Sequence, residues 1–288
     1  MEATPAPSGT ARATGAEPNE RSPDRAADRR LQTKTGTPRR PCHPPNRLRR
    51  KASVGVPRHQ RRPRAPVSTL TAHEVSVVTT AIIGTGGIGS AIAHQLASGG
   101  EALRMSSADA ASARRVAADI GPAAVVAADN RDAPVGAEAV VLALRFTVLK
   151  SVIDEIAVTL RDKLLVVPSN PVGLDGRGNV TRLLPEGQSS GEVVAGWLPA
   201  GARLAMAFGT MSAALFESSS HRSPQPAVLF YATDDDRAGE EVERLIRTAG
   251  FEPVKVGGVK ESTRLEVGGD LHDLVLGPAQ ARSLVTPA

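Results

Sequence analysis

Along the first 77 or so residues, apolar side chains recur with neither a helical nor a strand period, and proline interrupts every short run. The pattern changes at Thr79. Thr79–Ile83 is a short apolar run that predicts a strand, and Ile88, Ile92 and Leu96 follow at the three-to-four spacing of an amphipathic helix. Residues 101–106 predict a second strand. Asp109 can cap a helix running to about Ile120, where Gly121-Pro122 stops it. Residues 123–127 predict a third strand and 138–144 a fourth, continuously apolar as strands buried on both faces are. A helix over 148–160 and a strand over 163–167 complete the series. Beyond it, 189–198 predicts a helix ending before Pro199, with Trp197 as a packing anchor. A strand over 227–232, a helix over 236–249 capped by Asp234 or Asp235 and closed by Gly250, and a strand over 252–256 follow. Alternation of strand and helix at these lengths predicts an α/β protein built on a doubly wound parallel sheet.

The first strand runs directly into Gly84-Thr85-Gly86-Gly87-Ile88-Gly89, a G-x-G-x-x-G motif with a strand before it and a helix after it. Each glycine answers a separate demand. Gly84 makes the tight turn, Gly86 lets the backbone approach a pyrophosphate, and Gly89 lets the helix pack closely on its strand. The helix start adds free N–H groups and the positive end of a dipole. The motif in this setting predicts a Rossmann-like dinucleotide-binding domain over residues 78–200. A smaller α/β part is expected over 201–288, and a disordered basic leader over 1–77.

Charge sharpens that division. Residues 1–68 hold 16 Lys or Arg and 5 Asp or Glu, while the remainder holds 19 basic and 25 acidic side chains. A segment rich in Pro and Arg cannot bury enough apolar surface to offset its ordering entropy. It has no apolar stretch of a secretory signal. No aromatic residue is interleaved to stack on bases, which argues against nucleic acid as a partner. Val78 would also suit an alternative start of translation, upstream residues then being no part of the native protein. The single cysteine, Cys42, excludes an internal disulfide and fits a cytoplasmic setting. No apolar run approaches the roughly 18 residues of a membrane span, so no membrane partner is expected.

The end of the second strand bears on the cofactor. Enzymes using NAD usually place Asp or Glu there, on the ribose 2′-hydroxyl. This chain has Ser106-Ser107-Ala108. Two hydroxyls and no carboxylate leave room for a 2′-phosphate, so NADP is the expected cofactor.

Six stretches taken together carry a resemblance. They are Ile83-Gly-Thr-Gly-Gly-Ile-Gly89, Ser106-Ser107 with the helix to Gly121, and Ala139-Val-Val-Leu-Ala-Leu144, followed by Val166-Val-Pro-Ser-Asn170-Pro171, Ala205-Met-Ala-Phe208-Gly-Thr210 and Val228-Leu-Phe-Tyr-Ala-Thr-Asp234. In their order and spacing, over about residues 79–270, the chain resembles the NADP-dependent oxidoreductases that use coenzyme F420. The resemblance implies that Thr85 to Ile88 wrap the pyrophosphate and that Ser107 meets the 2′-phosphate. It implies that Leu144 and Pro168, Ser169 and Asn170 line the nicotinamide crevice, and that Ala207 to Thr210 form a wall facing the second reactant. A homodimer is implied in the same way. The chain also departs from the family pattern. Ala108 stands where an arginine commonly grips the 2′-phosphate, and Ser112 where a lysine is frequent. Met206 and Gly209 replace a Lys and an Asn, and Arg145 follows the fourth strand where Pro is usual.

Hydride transfer between a deazaflavin and a nicotinamide is carried by the cofactors, while the protein orients them and excludes water. No catalytic side chain and no metal ligand set is therefore assigned. His94 reads as a packing or surface residue, and His221 sits in a serine-rich loop. His272, between Asp270 and Asp273, is the one histidine flanked by carboxylates, and as a proton donor it would suit a carbonyl or imine substrate. Three functions follow: hydride exchange between NADP(H) and coenzyme F420, NADPH-dependent reduction of a small imine or carbonyl compound, and NADP(H) sensing without turnover.

Overall fold

The computed structural model describes residues 79–285. The basic leader and Cys42, with the expectations attached to them, lie outside the described residues. Strand β1 (Thr79–Ile83) enters helix α1 (Gly87–Ser98), and β2 (Ala102–Ser106) enters α2 (Ala110–Ile120). Then come β3 (Ala124–Val126), β4 (Ala139–Leu142), α3 (Phe146–Ile156) with a short 3₁₀ turn at its end, and β5 (Leu164–Val167). A hairpin of β6 (Val172–Leu174) and β7 (Val180–Arg182) precedes α4 (Ser190–Ala195) and β8 (Arg203–Ala207). The chain continues through α5 (Ala213–Ser219), β9 (Val228–Ala232), α6 (Asp236–Thr248) and β10 (Glu252–Gly257). A 3₁₀ segment (Val259–Arg264) and α7 (Pro278–Val285) end the described part.

Eight strands form one sheet in the order β10-β9-β8-β5-β4-β1-β2-β3. From β3 to β8 every pairing is parallel. The six strands β3-β2-β1-β4-β5-β8 thus have the 3-2-1-4-5-6 order of a dinucleotide-binding sheet, with its crossover between β1 and β4. The expected boundary at residue 200 falls between α4 and β8, and β8 is the sixth strand of that order. The sheet is not parallel throughout. β9 pairs with β8 antiparallel, over Met206↔Ala232 and Ala207↔Tyr231, and β10 then lies parallel to β9. Phe208 marks the change: it is fully buried at a φ of 66°, a turn that takes the chain out of the β8 direction.

Side chains of β1 alternate between two cores. Ile82 joins Ile92, Leu96, Leu103, Val116, Leu229, Val242 and Leu245 on the face covered by α1, α2, α5 and α6. Ala81 and Ile83 join Leu149, Ile153, Val194, Met206 and Phe230 on the face covered by α3, α4 and α7. This is the two-sided burial expected of a parallel sheet. Few aromatics take part, and they cluster. Phe216 lies between Phe208 and Phe251, with ring centroids 5.9 and 4.8 Å away. Trp197 packs on Phe146 at 5.6 Å, the anchoring role expected of it.

Capping fixes where the helices start. Asp109 accepts from the Ala111 N–H, and Asp235, the second of the two candidates, accepts from the Ala238 N–H at 2.7 Å. Ser189 and Glu192 form a complete capping box on α4. By contrast, α1 begins at Gly86 and α3 at Arg145 with no side chain capping either. Among the described residues, no helix is long and apolar enough to cross a membrane.

Candidate nucleotide site and the wall beside it

The glycine loop is built by close approaches that a side chain would prevent. Gly84 has a φ of 102°, and a Cβ there would lie 2.3 Å from the Ala143 carbonyl oxygen. A Cβ on Gly89 would lie 2.0 Å from the Gly84 carbonyl oxygen, so the first turn of α1 rests directly on the loop. Gly86 is different: it is exposed, and a Cβ there would meet nothing within 4 Å. Protein packing therefore accounts for Gly84 and Gly89 and leaves Gly86 unexplained. Open space over Gly86 borders the uncapped N–H groups of α1, the geometry that receives a phosphate.

Hydrogen bonds hold the loop in place. The Gly84 N–H donates to the Ser106 carbonyl at 2.8 Å, joining it to the end of β2. The Thr85 hydroxyl donates to Ser112 Oγ at 2.9 Å, and Ser112 Oγ donates back to the Thr85 carbonyl at 3.1 Å. Ser112, where the family often has lysine, thus braces the loop from α2. The two serines ending β2 differ. Ser106 is buried and its hydroxyl donates to Asn130 Oδ1 at 2.9 Å. Ser107 is half-buried and its side chain makes no hydrogen bond among the described residues.

The remaining expected residues stand at the carboxyl ends of β4, β5 and β8. Leu144 reaches the glycine loop, its Cδ2 lying 2.9 Å from where a Gly84 Cβ would be. Ser169 is buried and donates to the Leu144 carbonyl at 2.5 Å. Pro168 presses on Gly209, where a Cβ would lie 2.3 Å from its carbonyl oxygen. Glycine in place of the family's asparagine at that position is thus a packing requirement. Asn170 bridges two segments: its Nδ2 donates to the Gly209 carbonyl at 2.9 Å, and its Oδ1 accepts from the Val267 N–H at 2.7 Å. Ala207, buried at the end of β8, completes the row. Ile88 and Gly87 start α1, with Gly87 facing Ala213. All thirteen expected positions therefore lie at the carboxyl ends of five neighbouring strands, in the loops leaving them and in the first turn of α1.

Behind Asn170 lies a polar cluster that no sequence pattern announced. Glu266, 4% exposed, accepts at Oε1 from the Ser190 N–H and hydroxyl, both at 2.7 Å, and from Ser262 Oγ at 3.4 Å. Its Oε2 accepts from Arg182 Nη1 at 2.6 Å. Glu266, Ser190 and Ser262 border a cavity of about 20 Å³ beside Ser169, Gly209 and Thr210, room for one water. The Thr210 hydroxyl is buried at its edge and has no partner among the described residues.

The histidine flanked by carboxylates resolves into separate pairs. Asp270 belongs to Arg264, whose Nη2 donates to it at 2.7 Å; that hydrogen bond holds its carboxyl below the usual range. His272 Nδ1 lies 3.1 Å from Asp273 Oδ2, and the Asp273 N–H donates to the Thr210 carbonyl at 2.7 Å. The His272–Asp273 pair thus sits against the Ala207–Thr210 segment. His94 is half-buried on α1, and His221 packs against Gly250. Arg145 is exposed at the start of α3.

Strand order and glycine loop together define a Rossmann-type dinucleotide-binding protein. Residues 79–171 match the family described as NADP oxidoreductase, coenzyme F420-dependent. Over those residues the chain is similar to that family of oxidoreductases. Among solved structures it is similar to a hypothetical protein of Sinorhizobium meliloti at 27% identity, covering 70% of this chain and 96% of that one, with a TM-score of 0.62. It is also similar to a protein of Arthrobacter sp. FB24 provisionally named an F420-dependent NADP-reductase, at 22% identity, 64% and 86% coverage and a TM-score of 0.57. An imine reductase variant from Myxococcus stipitatus lies further off, at 19% identity, 66% and 59% coverage and a TM-score of 0.49. No protein of curated function gives a match.

Proposed function

We propose that the protein exchanges hydride between NADP(H) and coenzyme F420, each lying in the crevice at the carboxyl ends of β1, β4, β5 and β8. The observation that carries the nucleotide half is Gly86, an exposed glycine that no protein contact demands, at the head of a helix with no side-chain cap. Gly84 to Gly89 wrap a pyrophosphate in this reading, with Thr85, Gly86, Gly87 and Ile88 offering backbone N–H groups and Ser107 meeting the 2′-phosphate. Leu144 and Pro168 to Asn170 hold the nicotinamide ring, and Ala207 to Thr210 form the far wall. The two cofactors supply the hydride chemistry when bound. The chain's part is to hold them face to face and keep water out. The polar groups nearest the wall suit that modest role: both ends of the Asn170 amide and both oxygens of Glu266 are already bonded within the protein.

A second reading rests on one observation. The bond from the Asp273 N–H to the Thr210 carbonyl brings His272 beside the same wall, where it would serve as a proton donor to a small imine or carbonyl substrate. One assay separates the readings. The full chain is mixed with reduced F420 and NADP⁺ while the deazaflavin absorbance is followed, then with NADPH and a panel of cyclic imines and ketones. Return of the oxidised deazaflavin band with NADP⁺ supports the first reading. Consumption of NADPH only with an imine or ketone, lost in His272→Ala, supports the second. Nucleotide binding without turnover of either kind leaves sensing.

A further inference from the structure

Thr85 stands in the glycine loop yet is only 4% exposed, and its hydroxyl is engaged by Ser112 Oγ at 2.9 Å. Its carbonyl oxygen is held by two hydroxyls from different helices. Ser112 Oγ, in the first turn of α2, donates to it at 3.1 Å, and Ser90 Oγ, in the first turn of α1, donates at 3.0 Å. Two donors on separate elements give the oxygen a fixed direction. A peptide group is planar and trans, so the N–H of the next residue points opposite the carbonyl. Holding the Thr85 oxygen toward Ser90 and Ser112 therefore sends the Gly86 N–H away from both hydroxyls. Thr85 is buried and Gly86 exposed, so this peptide plane runs from the interior out to the crevice. The Gly86 N–H has no hydrogen-bond partner among the described residues, and the space over Gly86 is open. Gly86, with the conformational freedom of glycine, does nothing itself to hold the plane.

We infer that Ser90 and Ser112 are positioning residues for the nucleotide: together they lock the Thr85–Gly86 peptide plane so that the Gly86 N–H is aimed at the pyrophosphate. Each acts through the Thr85 carbonyl and not on the ligand. A serine hydroxyl has one proton to give, and in both residues it goes to that carbonyl, so neither is left as a donor to a phosphate oxygen. The position on α2 where the family often has lysine thus serves the loop in this chain. The inference rests on the nucleotide reading of the glycine loop.

The test is a pair of titrations on the full chain, with NADP⁺ and with adenosine 2′-phosphate, which has no pyrophosphate. Ser90→Ala and Ser112→Ala are each expected to weaken NADP⁺ by about 2–10-fold, the range of one neutral hydrogen bond. Both variants should bind adenosine 2′-phosphate as the natural protein does, a split that a general loosening of the domain would not produce. The two serines lie on different helices, so either variant carries the test if the other fails to fold. Natural NADP⁺ affinity in both variants would overturn the inference. An equal loss for adenosine 2′-phosphate would also overturn it, marking a structural defect or a direct contact with the 2′-phosphate. If the natural protein binds no NADP⁺, the reading of the loop itself fails, an outcome seen before any variant is compared.

Discussion

The glycine loop and the wall formed by residues 168–170, 207–210 and 262–273 share one crevice but are built in opposite ways. The loop is local: Gly84, Gly86 and Gly89 lie within six residues, and the contacts that demand two of them come from the loop itself and from Ala143. The wall is assembled from afar. Asn170 reaches Gly209 and Val267, 39 and 97 residues away, and Glu266 gathers Arg182, Ser190 and Ser262 from three elements. Close packing dictates the glycines of the loop, with hydrogen bonds to Ser106 and Ser112 bracing it, whereas a wall made of distant segments is held chiefly by buried polar bonds. Damage to the two should therefore look different.

The largest effect is expected at the wall. Glu266→Ala leaves Arg182 and the α4 N-terminus without their carboxylate, and breaking a buried pair in this way costs about 3–5 kcal/mol. Chemical denaturation should show a loss of that size. Gly89→Ala comes next: its Cβ would press on the Gly84 carbonyl, and overpacking of this kind costs about 1–3 kcal/mol. Nucleotide binding should fall with it, since the loop must shift. Gly86→Ala sharpens the contrast. With open space around it, the change should cost no more than about 1 kcal/mol, chiefly as a poorer cap. NADP⁺ affinity should nevertheless fall by about tenfold, since the backbone can no longer approach the phosphates as closely. A Gly86→Ala protein as unstable as Gly89→Ala would show that packing, not a ligand, selects that glycine.

The smallest effect is expected at Asp270. Its hydrogen bonds from Arg264 lower the folded-state pKa, so the pair stabilises the protein above the unfolded value near 3.8 and the contribution is lost as pH falls through the folded value. Asp270→Asn should thus lower stability at neutral pH but hardly at all at the most acidic end. As the carboxylate is largely exposed, the difference should stay below about 1 kcal/mol. Melting curves between pH 3 and pH 7 measure it.

This contrast also explains what could be read from the sequence. The strands of the sheet from Thr79 to Val167, the caps Asp109 and Asp235, and the separate jobs of Gly84 and Gly89 all follow from periods and spacings within about 20 residues. The β6–β7 hairpin escaped because its strands are three residues each, with Gly173 inside one of them, too short to show alternation. The antiparallel entry of β9 escaped because the direction of a strand is set by its pairing, here Met206↔Ala232 and Ala207↔Tyr231, and a continuously apolar run reads the same in either direction. At the site, nothing in the residue order distinguishes Ser106 from Ser107, since their difference lies in Asn130, 24 residues beyond Ser106. Nor could the flanking of His272 by carboxylates reveal that Arg264 takes one of them.

The most direct test of the account is amide hydrogen exchange on the full chain, free and with saturating NADPH or adenosine 2′,5′-bisphosphate. The account predicts that the bisphosphate, which keeps the adenosine-side phosphate and lacks the nicotinamide, slows exchange at Gly84–Gly89 and at the end of β2, while NADPH also protects 168–170 and 207–210. Protection by NADPH confined to segments away from the carboxyl ends of β1, β4, β5 and β8 would contradict it.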